Sequence, residues 1–323
     1  MNYYKYDDSS IRYTGRFAEI EGSMQTALTG SYIEIAFSGK SIILEFDITH
    51  NVLPYPHLYF ILDSGHKTEV PLSKFLKVEA DDGEHILKVI FKSKKEYQAR
   101  FCPPVVGKIA LKGYFAKGNG VLPEDNRKTI EFMGDSITEG QLTEADVIVT
   151  PEDNQDYYPY QNDVTATYAW LVAEKLNLRN YHVGHGGSGV VKIACAGVPK
   201  AIDFYEYSFH GIKVNYPEPD YILFNYGAND QMEKEDVYIE EYEKLLRYVR
   251  KIRPNSVIIV LSAFVGVFAK ALGELVEKLN KELNDNIYFI DSTGWVPKEP
   301  LHPFRQGHKI IAEKLSEELK KII

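Results

Sequence analysis

Apolar and polar residues alternate one by one through the first third of the chain. Ile33, Ile35 and Phe37 are separated by Glu34 and Ala36, and Ile42, Leu44, Phe46 and Ile48 repeat the spacing. Leu58 to Leu62 is an apolar run, and Leu87, Val89 and Phe91 alternate with charged or exposed positions. A period of two marks half-buried strands. Ser38-Gly39, Asp63-Ser64-Gly65 and Asp81-Asp82-Gly83 supply turn chemistry between them. Many short strands with no helical period predict a β-sandwich of the jelly-roll kind over residues 1–117.

Residues 118–128 hold Gly118, Gly120, Pro123, Asp125 and Asn126 and are expected to form a linker. Beyond them the period changes. Strand candidates at Ile130–Met133, Tyr181–Val183, Tyr221–Phe224, Val257–Leu261 and Ile287–Ile290 alternate with helical stripes. Val257 to Leu261 is apolar at every position, as a strand covered on both faces requires. Tyr242, Leu245, Leu246, Val249 and Ile252 share one helix face, with Pro254 as the stop; Leu272, Leu275, Val276, Leu279 and Leu283 form a second stripe, and Ile311, Leu315, Leu319 and Ile322 a third. Strand–helix alternation predicts a three-layer α/β/α domain with a five-stranded parallel sheet over residues 129–323.

Composition narrows the partners. The chain has 323 residues, enough for two domains, and its 37 basic against 46 acidic residues give −9. That charge argues against nucleic acid or an anionic membrane as the partner. The longest apolar stretch, Val257 to Ala269, is 13 residues and falls short of the ~20 a spanning helix needs. Cys102 and Cys195 show no paired spacing and read as two reduced thiols. The first eight residues contain no apolar leader core, so a cytoplasmic location is expected. His182 and His185, three apart, and His302 and His308, six apart, do not have metal-ligand spacing, and neither a metal nor another cofactor is expected.

Ligands of an open parallel sheet bind beyond the carboxyl ends of its strands. The first strand is followed by Gly134-Asp135-Ser136-Ile137-Thr138, the second by Gly184-His185-Gly186-Gly187-Ser188-Gly189, the third by Gly227-Ala228-Asn229-Asp230, and the last by Glu299-Pro300-Leu301-His302-Pro303. A serine, a glycine-rich loop, an asparagine and a histidine therefore converge on one edge. Ser136 is a nucleophile once a base takes its proton, and His302 is the candidate base. The oxyanion of a tetrahedral intermediate needs preset donors. Candidates are the Ser136 N–H, a backbone N–H of the second loop and the Asn229 amide. Ser136 as a plain helix cap is the competing reading, and it loses ground once Asn229 and His302 fall on matching loops. The second loop also matches a dinucleotide fingerprint, but the strand that follows it ends in Phe224-Asn225 with no acid to hold a ribose.

On these four blocks the chain resembles SGNH hydrolases of the GDSL type. Arg12-Tyr13-Thr14-Gly15-Arg16 and Gly30-Ser31-Tyr32-Ile33-Glu34-Ile35 further resemble the jelly-roll domain of carbohydrate esterase family 2, two-domain acetylesterases of plant polysaccharides such as xylan and mannan. The resemblance implies Ser136 as nucleophile, His302 as base, and Gly187 and Asn229 as oxyanion donors, with Gly186 or Gly189 as alternatives to Gly187. It places an Asp three residues before the histidine. This chain has Glu299 there, so either Glu299 or a backbone carbonyl orients the ring, and Asp291 is a weaker candidate. Asp135 and Asp230 read better as loop fasteners than as catalytic acids. Tyr226 and His185 flank the donors and are expected to shape the acyl pocket. Tyr158, in the aromatic stretch Asp156 to Tyr160, is a candidate for stacking on sugar. The expected partner is an acetylated carbohydrate, and the expected activity is removal of O-acetyl groups. A glycan-binding protein with a vestigial site and an esterase of lipid acyl chains are the alternatives.

Overall fold

A computed structural model describes residues 1–95, 98–148, 158–194 and 196–323. The alternating segments pair into two antiparallel sheets. One runs Ala18–Ile20, Ser23–Thr26, Ile109–Ala116, Ser41–Phe46, Phe75–Glu79, with Asn2–Lys5 added to 109–116. The other runs Gly118–Asn119, Tyr32–Ser38, Glu84–Ser93, His57–Leu62, Thr68–Pro71, with Ile11–Thr14 added to 32–38. Ile33, Ile35 and Phe37 meet Ile42, Leu44 and Phe46 in the core between them, all fully buried. The period-two reading thus describes a jelly-roll sandwich.

The segment expected as a linker is fastened to this sandwich. Gly118–Asn119 pairs with Ser38 and Phe37, the Gly120 N–H donates to Ala36 O, and Arg12 donates to the Pro123 carbonyl at 2.7 Å.

The parallel sheet has the order Arg179–Gly184, Thr129–Gly134, Tyr221–Asn225, Val257–Leu261, Tyr288–Ile290. The chain enters at 129–134, crosses to one edge at 179–184, then returns and proceeds outward. Its switch point therefore lies at the carboxyl end of 129–134, where Ser136 follows. Helices Glu235–Ile252 and Ala269–Leu283 cover one face, and Tyr168–Lys175 and Arg305–Leu319 the other. The 13-residue apolar stretch divides into a strand, a loop and the first residue of a helix. Among the described residues no helix is long and apolar enough to cross a membrane.

Candidate active site

The strand 129–134 ends in Gly134, and Asp135 caps the turn Ser136–Glu139 by accepting the Ile137 N–H at 2.9 Å. This helix is a single turn of four residues, so few aligned peptide dipoles stand behind Ser136. Its close approach to the neighbouring strand depends on Gly184: a Cβ there would lie 2.4 Å from the Glu139 nitrogen.

Ser136 Oγ lies 2.7 Å from His302 Nε2, across 166 positions of sequence. Both ring and hydroxyl are largely withdrawn from solvent. Burial holds the His302 imidazole below its ordinary value, and the Glu139 carboxylate opposes that shift. A ring neutral at pH 7 is the form that accepts the serine proton. The His302 loop is fixed just downstream: Arg305 N–H donates to Thr143 O at 2.8 Å, and its guanidinium meets Glu144 at 2.5 Å and Asp163 at 3.1 Å.

Three N–H groups are the candidate oxyanion donors. Ser136 opens its turn, so its N–H has no intrahelical acceptor. In the second loop the Gly186 N–H is committed to Glu139 Oε2 at 2.7 Å and the Gly189 N–H to Lys192 O at 3.0 Å. The Gly187 N–H has no acceptor among the described residues, which favours Gly187 over both alternatives. Asn229 Nδ2 donates to Ser188 O at 2.9 Å, and the amide keeps its second N–H. Asp230 is fully buried and accepts the N–H groups of Val190, Val191 and Lys192, fastening the loop as expected; burial raises its carboxyl despite those bonds. Asp291 caps a turn by accepting Thr293 N–H and Ser262 Oγ–H.

Several expectations need correction. Glu299 makes no hydrogen bond or ion pair with His302 among the described residues. It is exposed and lines a surface cleft of about 340 Å³ with Gln231, Val265, Val267, Lys298 and Leu301. No described carbonyl accepts from His302 either. His185 does not shape an acyl pocket: it is 1% exposed, wedged between Phe101 and Phe204, and kept neutral by burial and by the charges of Arg100, Lys94 and Arg16. Tyr226 is 0% exposed in the core, where its carbonyl accepts from Tyr238. Tyr158 opens the turn Tyr158–Gln161, half-buried, and no described contact joins it to Ser136 or His302. Asp156, Tyr157 and Cys195 lie outside the described residues, while Cys102 is a free, exposed thiol.

Four polar residues around the nucleophile turn escaped sequence reading. Glu139, at the end of the nucleophile turn, is buried against Arg100 of the N-terminal half at 2.7 Å, with Lys94 at 3.6 Å. Thr29, also from that half, donates to the Glu139 carbonyl at 2.8 Å. The sandwich therefore supports the turn that carries Ser136. The available signal was a carboxylate three residues after the nucleophile, which a buried site must neutralise.

Against known proteins, a model of the GDSL-like lipase/acylhydrolase family matches residues 132–310. A search of curated proteins finds no match. Among solved structures, a family two carbohydrate esterase from Cellvibrio japonicus superposes with TM-score 0.81 at 20% identity, over 99% of this chain and 97% of that one. An acetyl xylan esterase, Est2A, from Butyrivibrio proteoclasticus gives 0.78 at 19%, over 99% of each chain. A family two carbohydrate esterase from Clostridium thermocellum, in complex with cellohexaose, gives 0.76 at 21%, over 96% of this chain and 98% of that one. All three share the whole two-part fold.

Proposed function

Because the chain belongs to the GDSL-like lipase/acylhydrolase family, we propose that it is a serine esterase removing O-acetyl groups from carbohydrate, on xylo- or manno-oligosaccharides or their polymers. The observation that carries this reading is the 2.7 Å approach of Ser136 Oγ to His302 Nε2, beside N–H groups of Ser136, Gly187 and Asn229 for which no acceptor stands among the described residues. The choice of an acetylated sugar rests on full-length likeness of fold to carbohydrate esterases.

Ser136 Oγ attacks the acetyl carbonyl as His302 Nε2 takes its proton. The three N–H groups receive the oxyanion, each contributing on the order of 10²–10³ in rate. The imidazolium returns the proton to the sugar oxygen, which leaves as an alcohol. Water then attacks the acetyl-enzyme with His302 again as base, releasing acetate. With Nδ1 lacking a described partner, the pair acts as a dyad.

Acetate release from 4-nitrophenyl acetate and from acetylated xylo- and manno-oligosaccharides tests the reading. Ser136→Ala is expected to abolish release in a folded protein, and retained turnover refutes it. A preference for octanoate over acetate esters replaces the carbohydrate acetyl reading with that of a lipid esterase.

A further inference from the structure

Gly186 is gripped on both sides of its own α-carbon. Its N–H donates to Glu139 Oε2 at 2.7 Å, and its carbonyl accepts from Arg100 Nη2 at 2.6 Å. Arg100 Nη1 in turn donates to both oxygens of Glu139, at 2.7 and 2.9 Å. Both charged side chains are fully buried. Lys94 completes the cluster, donating to the Ala27 carbonyl beside Glu139.

The Gly186 carbonyl and the Gly187 N–H belong to one planar trans peptide, so they point in opposite directions. Holding the carbonyl on Arg100 thus aims the Gly187 N–H away from the seam between the two halves, the side from which Arg100 reaches in. The loop is a turn closed by Ser188 N–H donating to His185 O, with Gly187 at φ +77°. Positive φ at the third position but not at the second, Gly186, makes this a type II turn, and the alternative type I turn differs by a flip of this same central peptide. A flip carries the N–H out of the site and puts a carbonyl in its place.

We propose that Arg100, with Glu139, is a positioning residue of the esterase. Supplied by the N-terminal sandwich, it locks the 186–187 peptide in the orientation that presents the Gly187 N–H to the oxyanion. The claim rests on the esterase reading above and adds to it a role for the β-domain in transition-state stabilisation. The fork geometry suits arginine: one guanidinium holds the carboxylate and the carbonyl together, which a lysine ammonium does less well.

The test compares Arg100→Lys and Arg100→Met with the parent on 4-nitrophenyl acetate. Competent sites are counted by titration with a serine-directed phosphonate, so partial folding does not enter kcat. The expected result is a fall in kcat of roughly 10- to 100-fold, bounded by the loss of a whole donor, with KM within threefold. The Ki of a trifluoromethyl ketone, which forms a tetrahedral oxyanion on Ser136, is expected to rise by a similar factor. A kcat per site within threefold of the parent, a change confined to KM, or a fall in kcat with the ketone Ki unmoved each overturns the proposal. Lack of turnover in the parent, or turnover retained by Ser136→Ala, overturns instead the esterase reading on which it stands.

Discussion

Two arginines of the sandwich cross into the α/β half, and each ends on a buried glutamate. Arg16 meets Glu131 at 2.9 Å in the middle of the strand 129–134, and its Nη1 donates to the carbonyls of both Phe204 and Tyr207. Arg100 meets Glu139 at the rim, and its other nitrogen holds a loop peptide. The chemistry is the same but the surroundings differ. The carbonyls that Arg16 holds end the helical turn Ala201–Phe204 and open the paired strand Tyr207–Phe209, so that pair fastens regular elements. The peptide at Gly186 has two available orientations, so the upper pair selects between them. Buried pairs of this kind bring little net stability but are costly to break halfway. Their value here is set by what the spare donors touch.

The sharpest way to break this division is Glu131→Ala. It strands Arg16 without a counter-charge and is expected to cost about 3–5 kcal/mol in urea unfolding, with kcat per titrated site unchanged. A drop in kcat per site beyond threefold places the lower pair in the catalytic machinery as well. Asn229→Ala sharpens the other side. On the proposed mechanism it removes an oxyanion donor, so kcat is expected to fall ~10²–10³-fold with the urea midpoint held, and a loss under threefold means that Asn229 does not reach the oxyanion.

Acid tests the buried histidines that pack around the upper region. Burial holds His182 down to about 4 and His308 to about 3, so both are neutral in the native state. The unfolded chain binds their protons first, near pH 6.5. Stability is therefore complete above that value and declines as pH falls towards 4, with His182 alone worth about 3 kcal/mol. Urea midpoints equal at pH 4.5 and 7.5 contradict this. For catalysis, the acid limb of kcat/KM is expected below pH 6.5, because burial lowers His302; a limb above 6.5 reverses that assignment. The smallest effect is expected from Glu299→Ala, less than threefold in kcat on 4-nitrophenyl acetate, since no described bond ties Glu299 to the ring. A fall of tenfold or more restores it as the orienter.

Much of this was legible in the sequence because it is local. The strand Val257–Leu261 falls where its unbroken apolar run says, and the stripe from Tyr242 to Val249 is buried within the helix Glu235–Ile252. Ser136, Asn229 and His302 were legible through topology, since each follows a strand end in a parallel sheet. Spacing failed where the path of a loop decides. Glu299 has the right offset from His302 but faces the outer cleft, and Tyr226 and His185 adjoin the right residues yet turn into the core. The buried pairings of Arg16, Arg100 and Glu139 were invisible for a different reason. Charged residues in polar segments read as surface, and their burial depends on partners 115 and 39 positions away. The linker between the two halves fell in between, since its glycines and proline hide a short strand pairing with 32–38.

Thr29, Arg16 and Arg100 together make the second half of the chain a dependent one. Excised at residue 129, it would retain Glu131 and Glu139 beneath its surface with the cations that answer them left on the discarded fragment. Grafting this hydrolase onto a foreign carrier module is therefore not a matter of joining ends. The carrier has to bring two guanidinium groups at fixed depth, or the recipient carboxylates have to be exchanged for neutral, space-filling side chains.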